Sequence, residues 1–336
     1  MLAKITIVTG NNLNQLELKK MLSARPYPFS LSVVVPCYNE AGHLLEFISA
    51  LKATISPITS NWEILIVNDG SIDATREIIL PLIPQGKLRY LEFSRNFGKE
   101  AALMAGIDHA KGDAVLLIDA DFQHPLDRVA EMADLWVQGY DMVYGVIVNR
   151  AQEGFIKKLG VRFFYSLLKY TEIHIPENAG DFRWLDRKVV NALKRLPERN
   201  RFMKGLYAWV GFKSIALPFV PLEREGGMTS FNTKGLSRLA LSGITSFSVM
   251  PLQVWTISGF VISALAVVYG IYVVIDTIFR GNAVSGWPTL TVAIMLFSGI
   301  QLLSIGVLGE YIGRIFNEVK QRPLYVIAED IETKSN

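Results

Sequence analysis

The chain is short of cysteine and of net charge, and each shortage excludes a class of protein. The single cysteine, Cys37, excludes an intramolecular disulfide and a cysteine-ligated zinc site, and it suits a reducing compartment. A formal net charge of +3 over 336 residues is too small to indicate binding to nucleic acid. The positions of the charges are therefore more informative than their sum.

Charged residues are absent from two long stretches near the C-terminus, Leu239–Ile275 and Gly281–Gly309. Half of the chain is hydrophobic and the mean hydropathy is +0.28. A helix that crosses a bilayer needs roughly 20 mostly apolar residues. Two transmembrane helices are therefore predicted, at 251–278 and 287–309. The alternative, a buried pair of soluble helices, is disfavoured by the length of the uninterrupted apolar runs.

Basic residues flank both predicted spans on the outer sides of the hairpin. Lys234 and Arg238 precede the first span, and Arg314, Lys320 and Arg322 follow the second. The positive-inside rule then places both termini in the cytosol and the short connecting loop outside. The N-terminus lacks the apolar core and cleavage site of a signal peptide. The sequence predicts a multi-pass protein of the inner (plasma) membrane with a large cytosolic N-terminal domain.

The rest of the chain divides around this hairpin. Residues 1–29 form an extension without an assigned role, and 30–230 form the cytosolic domain. Basic amphipathic patterns predict an interfacial helix near 155–170 and a juxtamembrane helix at 231–250. An ordinary domain helix with a charged face is the alternative for 155–170. Residues 310–336 form a cytosolic tail.

Short apolar runs alternate with helix-like segments in the cytosolic domain. The runs are 31–36, 62–69, 88–93, 113–120 and 140–148, and the helix-like segments are 42–56, 73–83 and 98–110. Near-continuous apolar strands are typical of a parallel sheet covered on both faces. The pattern predicts an α/β fold with a doubly wound, mostly parallel sheet.

Polar clusters follow each of the first four predicted strands, and such sheets bind ligands at the carboxyl ends of their strands. Each cluster has an ordinary alternative: Asp73 as a helix cap, Gly70 as a turn residue, Asp119 and Asp121 as a solvated strand end. The other interpretation of Asp119 and Asp121 is a binding site for a divalent cation. Four polar clusters at one edge of a sheet favour a ligand site.

These clusters and the hairpin together resemble family 2 glycosyltransferases with a GT-A fold. More narrowly, the chain resembles the polyprenyl-phosphate glycosyltransferases, which include dolichol-phosphate mannose synthase and the bactoprenol glucosyltransferases. The resemblance runs from about residue 30 to 327. The motifs that carry it are VVVPCYNE, VNDGSIDAT, SRNFGKEAAL, DADFQHP, AGDFRWLDRKVV, ERNRFMKGL and LGEYIGRIFNEVKQRPLYVI.

The resemblance implies a nucleotide diphosphosugar as donor and Mg²⁺, or Mn²⁺, as cofactor. It implies that Asp121 and Gln123 are metal ligands and that Asp119 contacts either the metal or the nucleoside. A hard cation on the phosphate oxygens would stabilise the charge that develops on the leaving diphosphate.

The resemblance implies that four residues bind the nucleoside, namely Pro36, Tyr38, Glu40 and Asp69. Tyr38 and Pro36 offer a flat surface for a base, Glu40 can accept from ribose hydroxyls, and Asp69 can accept from a base N–H. Lys99 and Arg95 are nearby cations for the base or the diphosphate. An exposed basic helix start is the alternative for these two cations.

Asp181 and Arg183 are expected where the acceptor approaches. Related enzymes suggest a catalytic base at Asp181, but a phosphate monoester has a second pKa of about 6 and needs little deprotonation. Positioning and charge neutralisation are the other roles open to Asp181.

A basic cluster, Arg199, Arg201 and Lys204, is predicted to bind the donor diphosphate or the acceptor phosphate. A solvated helix start is the alternative.

The predicted function is an inverting transfer of a hexose, glucose from UDP-glucose, to undecaprenyl or another polyprenyl phosphate at the cytosolic face of the membrane. The product would be a lipid-linked sugar for cell-envelope glycosylation. GDP-mannose or another UDP-sugar is the alternative donor, and an inactive nucleotide-binding membrane scaffold is the alternative of another class. Association of copies through the spans is left open.

Overall fold

The computed structural model describes residues 25–148, 176, 179–199, 201–222, 250–280 and 286–332. Three sequence predictions fall outside these residues: the N-terminal extension as far as residue 24, the amphipathic helix near 155–170, and the juxtamembrane helix up to residue 249.

Strands and helices alternate through the first part of the chain, as the apolar pattern predicts. In chain order the elements are β1 (Tyr27–Cys37), α1 (Leu44–Ile55), β2 (Thr59–Asn68), α2 (Thr75–Ile79), β3 (Leu88–Phe93), α3 (Lys99–His109), β4 (Ala114–Leu117), α4 (Arg128–Val137), β5 (Met142–Ile147), β6 (Ala179–Asp186), α5 (Arg187–Lys194), α6 (Met203–Trp209), β7 (Ser214–Phe219), α7 (Met250–Arg280), α8 (Trp287–Val319) and β8 (Ile327–Glu332).

The strands of the described residues form one sheet in the order β7-β5-β6-β4-β1-β2-β3-β8. β1 is parallel to β2 and β4, β2 to β3, and β5 to β7. Antiparallel pairing occurs where β6 lies between β4 and β5, and where β8 joins β3. The predicted doubly wound, mostly parallel α/β sheet is therefore confirmed.

Both faces of the sheet are buried, which explains the near-continuous apolar strands. Val33 and Val35 of β1 join one hydrophobic cluster with Phe47 of α1, whereas Val34 joins the other with Leu103 of α3. α1 and α4 cover the first face, and α3, α5 and α6 cover the second.

Helix α3 packs very close to the sheet because its sheet-facing residues are small. A Cβ built at Gly106 would overlap Cγ1 of Val34, and Ala101, Ala102 and Ala105 are also buried. This close approach holds the first turn of α3 at the carboxyl edge of the parallel strands.

The helix predicted at 73–83 is shorter in the structure. α2 ends at Ile79 and continues as a 3₁₀ helix, Leu80–Gln85, that contains Pro81 and Pro84. A proline has no N–H and clashes with the preceding turn, so it ends a regular α-helix.

Strand β6 was not predicted as a strand, and its antiparallel register brings distant residues together. Leu117 of β4 pairs with Arg183 of β6. Each step forward on β4 is a step backward on an antiparallel partner, so this register carries Asp119 opposite Asp181. The two acids therefore come together because β6 pairs antiparallel with β4 in this register.

The two C-terminal apolar runs form the long helices α7 and α8. α8 begins at Trp287, as predicted, but continues ten residues past the predicted end at 309, to Val319. Among the described residues, one stretch, Leu296–Val319, has the length and composition to cross a membrane, with a mean hydropathy of 1.3. The span at 251–278 stays a prediction from the apolar run.

Strand β8 returns the chain from α8 to the edge of the sheet. Ser94 N donates to Val326 O at 3.0 Å, and the Tyr325 ring stacks on Phe93 with centroids 5.1 Å apart. Buried Arg89 of β3 makes two hydrogen bonds with Asp330, at 2.7 and 3.0 Å. β8, which lies within the tail predicted at 310–336, therefore anchors α8 to β3, the strand that leads into the third polar loop.

Arg89→Met is expected to lower the free energy of unfolding by about 1–2 kcal/mol, allowing for the partial exposure of Asp330. The hydrogen bonds from Arg89 lower the pKa of Asp330, so the difference from wild type is expected to shrink as pH falls through that lowered pKa. Thermal melting in detergent at several pH values measures this difference in stability. Arg128→Met, which breaks the exposed pair with Glu131 (2.7 Å), is the control and should shift the midpoint less. Equal shifts would contradict a role for the buried pair.

Candidate active site

The loops that follow β1 to β4 meet at the carboxyl edge of the sheet around a cleft of about 230 Å³. Seven of the residues singled out in the sequence line this cleft: Pro36, Tyr38, Glu40, Asp69, Lys99, Asp119 and Asp121. Tyr38 is 43% exposed, so its ring is open to a ligand. The predicted edge of the sheet is therefore the edge that carries the cleft.

Asp69 uses its carboxylate to hold the third loop. Its two oxygens accept hydrogen bonds from the amides of Phe97 and Gly98 at 2.6 and 2.9 Å. Burial raises the pKa of Asp69, and these two hydrogen bonds offset part of that rise. The contact with a base N–H stays a prediction, because the described contacts of Asp69 are to the protein backbone.

Gly70 follows in a left-handed conformation, with φ +66°. A Cβ there would lie 2.5 Å from the carbonyl carbon of Arg95. Glycine is thus required both by the turn and by the close approach of the second and third loops.

Asp73 ties the second loop to the first. Its Oδ2 accepts from the amide of Ala41 at 3.1 Å, and its Oδ1 accepts from Thr75 N at 3.1 Å. The alternative of a plain helix cap is incomplete, because the same carboxylate also fixes the segment that carries Glu40. Glu40 itself contacts His43 at 2.7 Å.

The DADFQHP loop turns sharply after β4. Phe122 has φ +57°, which is uncommon for a bulky residue and marks a conformation held by its surroundings. Its ring packs edge-on against Phe47, with centroids 5.2 Å apart. Asp121 is 8% exposed and accepts from the Gln123 amide at 3.1 Å. This turn sets Asp121 on the cleft wall, whereas Gln123, two residues further on, is not among the residues that line the cleft, so its role as a metal ligand stays a prediction.

His124, to which the sequence assigned no role, supports this turn from behind. Its ring stacks on Phe182 at 4.9 Å, and its Nδ1 accepts from the Asp119 amide at 3.3 Å. Burial lowers the pKa of His124 although Asp119 pulls it upward. A neutral ring is the form that can accept this hydrogen bond.

Lys99 joins the two acids that the register of β6 brings together. Its Nζ lies 2.7 Å from Oδ2 of Asp119 and 3.3 Å from Oδ2 of Asp181. Burial lowers the pKa of Lys99, but the two carboxylates outweigh burial and raise it overall. Lys99 is 47% exposed by side-chain area, so it also remains within reach of a ligand in the cleft.

Asp181 is partly buried, with its side chain 17% exposed, and carries a negative charge among cations. Burial raises its pKa, but Lys99, Lys204 and Arg183 outweigh burial and hold it below the usual value. Its Oδ1 has no hydrogen-bond partner among the described residues. A carboxylate with a lowered pKa is a weak proton acceptor, and Asp181 contacts the Lys99 ammonium at 3.3 Å, so a role in positioning charge is favoured.

Arg183 does not face the cleft. It is 2% exposed, and its guanidinium lies 4.2 Å from the Tyr207 ring centroid and 5.3 Å from that of Tyr144. Its Nε donates to Gly180 O at 3.1 Å. The predicted contact of Arg183 with the substrate is not supported by this arrangement. The guanidinium instead acts on Asp181 through its charge.

The basic cluster Arg199, Arg201 and Lys204 is split by the structure. Lys204 on α6 is close enough to Asp181 for its charge to lower the pKa of that carboxyl. Arg201 instead donates to the carbonyls of Leu196 and Glu198 at 2.6 and 3.1 Å and lines a separate cleft with Arg199. The phosphate contacts predicted for Arg199 and Arg201 therefore have no support from the geometry of the first cleft. Arg95 lies over the Phe97 ring at 4.0 Å, as an exposed cation.

One charged residue of this region was missed by the sequence analysis. Glu100, next to Lys99, accepts a hydrogen bond from Met203 N at 3.0 Å. Its place in the motif GKEAAL was visible, but its partner on α6 is about a hundred residues away in the chain.

Comparisons with known proteins assign both parts of the chain to known families. Residues 32–194 match glycosyl transferase family 2, and residues 250–315 match the GtrB C-terminal hairpin. The chain is 45% identical over 299 residues to the prophage bactoprenol glucosyl transferase homolog of Escherichia coli, covering 88% of this chain and 98% of that protein. It is 46% identical over 301 residues to an uncharacterized glycosyltransferase of Synechocystis sp., covering 89% and 95%.

A solved structure is also similar at low identity. Glucosyl-3-phosphoglycerate synthase from Mycobacterium tuberculosis, in complex with Mn²⁺ and UDP-glucose, matches with 17% identity and a TM-score of 0.43, covering 70% of this chain and 82% of that chain. A similarity at this level supports neither a metal nor a substrate assignment. The family match and the two relatives do establish the class of protein: the chain belongs to glycosyltransferase family 2, as a transferase whose catalytic domain is followed by a GtrB-type C-terminal hairpin.

Proposed function

We propose that the protein transfers glucose from UDP-glucose to a polyprenyl phosphate, with inversion, at the cytosolic face of the membrane. The observation that carries the proposal is the cluster of Asp119, Lys99 and Asp181 at a cleft lined by Tyr38 and Asp121. The choice of glucose and of a bactoprenol-type acceptor rests on the relatives named bactoprenol glucosyl transferase.

The donor nucleotide would lie in the cleft between the loops that follow β1 and β3. Tyr38 and Pro36 offer an apolar surface on which a base can stack, and Glu40 lines the same cleft as an acceptor for ribose hydroxyls. The diphosphate would then extend toward Lys99 and Asp121, which line the same cleft. Uridine and guanosine both carry N–H groups, so this surface alone does not select the base.

The donor set fits a hard divalent cation. Asp119 and Asp121 place carboxylate oxygens on one cleft, and the buried Oδ1 of Asp181 lacks a hydrogen-bond partner among the described residues. The described part of the chain contains no group of three or more His, Cys, Asp or Glu side chains that could hold a metal alone. Magnesium sites of one or two carboxylates completed by phosphate and water match this composition.

Asp121 and Asp119 would hold the cation, with Gln123 beside them. When bound, Mg²⁺ or Mn²⁺ would neutralise charge on the diphosphate. Lys99, which contacts Asp119 and is half-exposed, would supply a further positive charge to the phosphate oxygens. The bound cation and Lys99 would together stabilise the charge of the leaving group at the edge of the sheet.

Asp181 would orient the cations rather than remove a proton. Its lowered pKa keeps it ionised at neutral pH, and the acceptor phosphate is already mostly dianionic. Fixed charges aimed at the reacting phosphates act without reorganisation during the reaction.

The hairpin supports a membrane location for the acceptor. α8 contains an apolar stretch long enough to span a bilayer, and β8 joins its end to the catalytic sheet. The site would thereby be held near the bilayer surface, where a polyprenyl phosphate headgroup lies. Two spans, cytosolic termini and association of copies stay predictions.

Purified protein in detergent, mixed with undecaprenyl phosphate and Mg²⁺, tests the proposal with a panel of UDP-glucose, other UDP-sugars and GDP-mannose. We expect UDP release and a glucosylated lipid from UDP-glucose, both lost with a chelator. Transfer from GDP-mannose alone would show that the donor is GDP-mannose and not UDP-glucose. No transfer from any donor would favour the inactive scaffold.

A further inference from the structure

Glu100 links two helices that are far apart in the chain. It lies in the first turn of α3, directly after Lys99, and its Oε2 accepts the Met203 amide at 3.0 Å. Met203 begins α6, and the preceding residue, Phe202, has no side-chain oxygen to cap the helix. The carboxyl of Glu100 thus satisfies an N–H that the helix itself leaves unpaired.

This contact ties together two helices that each carry a cation. Lys99 precedes Glu100 on α3, and Lys204 follows Met203 on α6. Both lysines lower the pKa of Asp181, so both act on that carboxylate. The hydrogen bond from Met203 to Glu100 therefore joins the two backbone segments that hold the lysines.

We propose that Glu100 is a positioning residue for the transfer reaction: it docks α6 on α3 so that Lys99 and Lys204 keep a fixed arrangement around Asp181. The proposal rests on the proposed function, since it concerns the charges that would face the substrate phosphates. Glu100 itself is given no contact with substrate.

The charged surroundings of Glu100 come from three elements. α3 contributes Lys99, α6 contributes Lys204 and Tyr207, and β6 contributes Asp181. Burial and the charge of Asp181 raise the pKa of Glu100 to about 7, against the Met203 hydrogen bond and the two lysines. A raised pKa means that Glu100 favours folding below the unfolded value of 4.5 and loses that contribution as pH rises through about 7.

Ionisation of Glu100 also alters the site. The new negative charge competes with Asp181 and the substrate phosphates for Lys99 and Lys204. Either form keeps an oxygen that can accept from Met203 N, and so does glutamine. Glu100→Gln therefore retains the docking contact and removes the charge, whereas Glu100→Ala removes both.

The experiment compares kcat and KM of the full-length wild type, Glu100→Gln and Glu100→Ala over a pH series through 7, with hydrogen exchange of residues 202–209. Glu100→Ala is expected to lower kcat by about 10- to 100-fold, as misplacement of catalytic groups does, with little change in KM for the nucleotide sugar. Glu100→Gln should recover most of that kcat, and its kcat relative to wild type should rise as pH passes through 7. Exchange at the start of α6 should quicken in Glu100→Ala only.

Glu46→Gln is the matched control, because Glu46 is also an acid in a first helical turn but is exposed on α1. It should behave as wild type. The inference is overturned if Glu100→Ala keeps wild-type kcat, if Glu100→Gln is as impaired as Glu100→Ala, or if α6 exchange is unchanged. Absence of transfer in the wild type would instead refute the proposed function, and the exchange measurement would still decide whether Glu100 docks α6.

Discussion

Asp121→Ala is expected to lower sugar transfer by about 10³-fold or more, since loss of metal-supported charge stabilisation costs several kcal/mol. Asp121 lies on the cleft wall, in the turn made by Phe122, and its carboxylate faces the predicted diphosphate site. The fold should remain, because the residue follows β4 and is not part of a hydrophobic cluster. Steady-state transfer and the metal dependence of UDP binding measure the effect.

Asp127→Ala is the control for this change. Asp127 precedes α4 in the same segment, and its side chain is 76% exposed. It should transfer sugar at the wild-type rate and melt at a similar temperature. If Asp121→Ala kept more than about a tenth of the wild-type rate, a difference worth under 1.4 kcal/mol, the metal assignment would be wrong.

Asp181→Asn is expected to lower transfer by about 10²- to 10³-fold, which is typical when one preorganised electrostatic group is lost. The change removes the negative charge that Lys99 contacts at 3.3 Å and that Lys204 and Arg183 also stabilise. UDP binding should change less than transfer, because the nucleoside surface at Tyr38 lies on another loop.

The pH profile separates positioning from general-base catalysis at Asp181. Its pKa is lowered below the usual 3.8, so the carboxylate stays ionised through the range of an ordinary assay. Protonation of Asp181 should therefore cause no acidic loss of activity between about pH 8 and about pH 5.5. An acidic limb in that range that vanishes in Asp181→Asn would contradict the positioning role. Asp113→Asn, at the opposite end of β4, is the control and should retain transfer.

Local patterns were sufficient to predict the sheet and the edge that carries the cleft. The apolar runs at 31–36 and 62–69 became β1 and β2, because a strand buried on both faces needs a continuous apolar segment. Polar residues directly after such strands must gather at one edge when the strands are parallel. Pro36, Tyr38, Asp69 and Asp121 were predictable for that reason.

The basic cluster shows where local patterns fail. Arg201 and Lys204 are three residues apart and read as one phosphate-binding group. The fold directs Arg201 to the carbonyl groups of a neighbouring turn and Lys204 toward Asp181. Spacing along the chain did not reveal this division, because Arg201 bonds to carbonyls just before it in the chain whereas Lys204 acts on an acid of another element, β6.

The sequence by itself determined the family, the doubly wound sheet, the loops that form the cleft and the apolar C-terminal runs, since all of these depend on composition and short-range pattern. Only the tertiary structure decided that Asp119 and Asp181 share Lys99, that Glu100 docks α6, and that β8 joins α8 to the sheet. Each of these contacts depends on antiparallel register or helix packing between distant segments. Such contacts follow from the free energy of the whole fold, and no local segment encodes them.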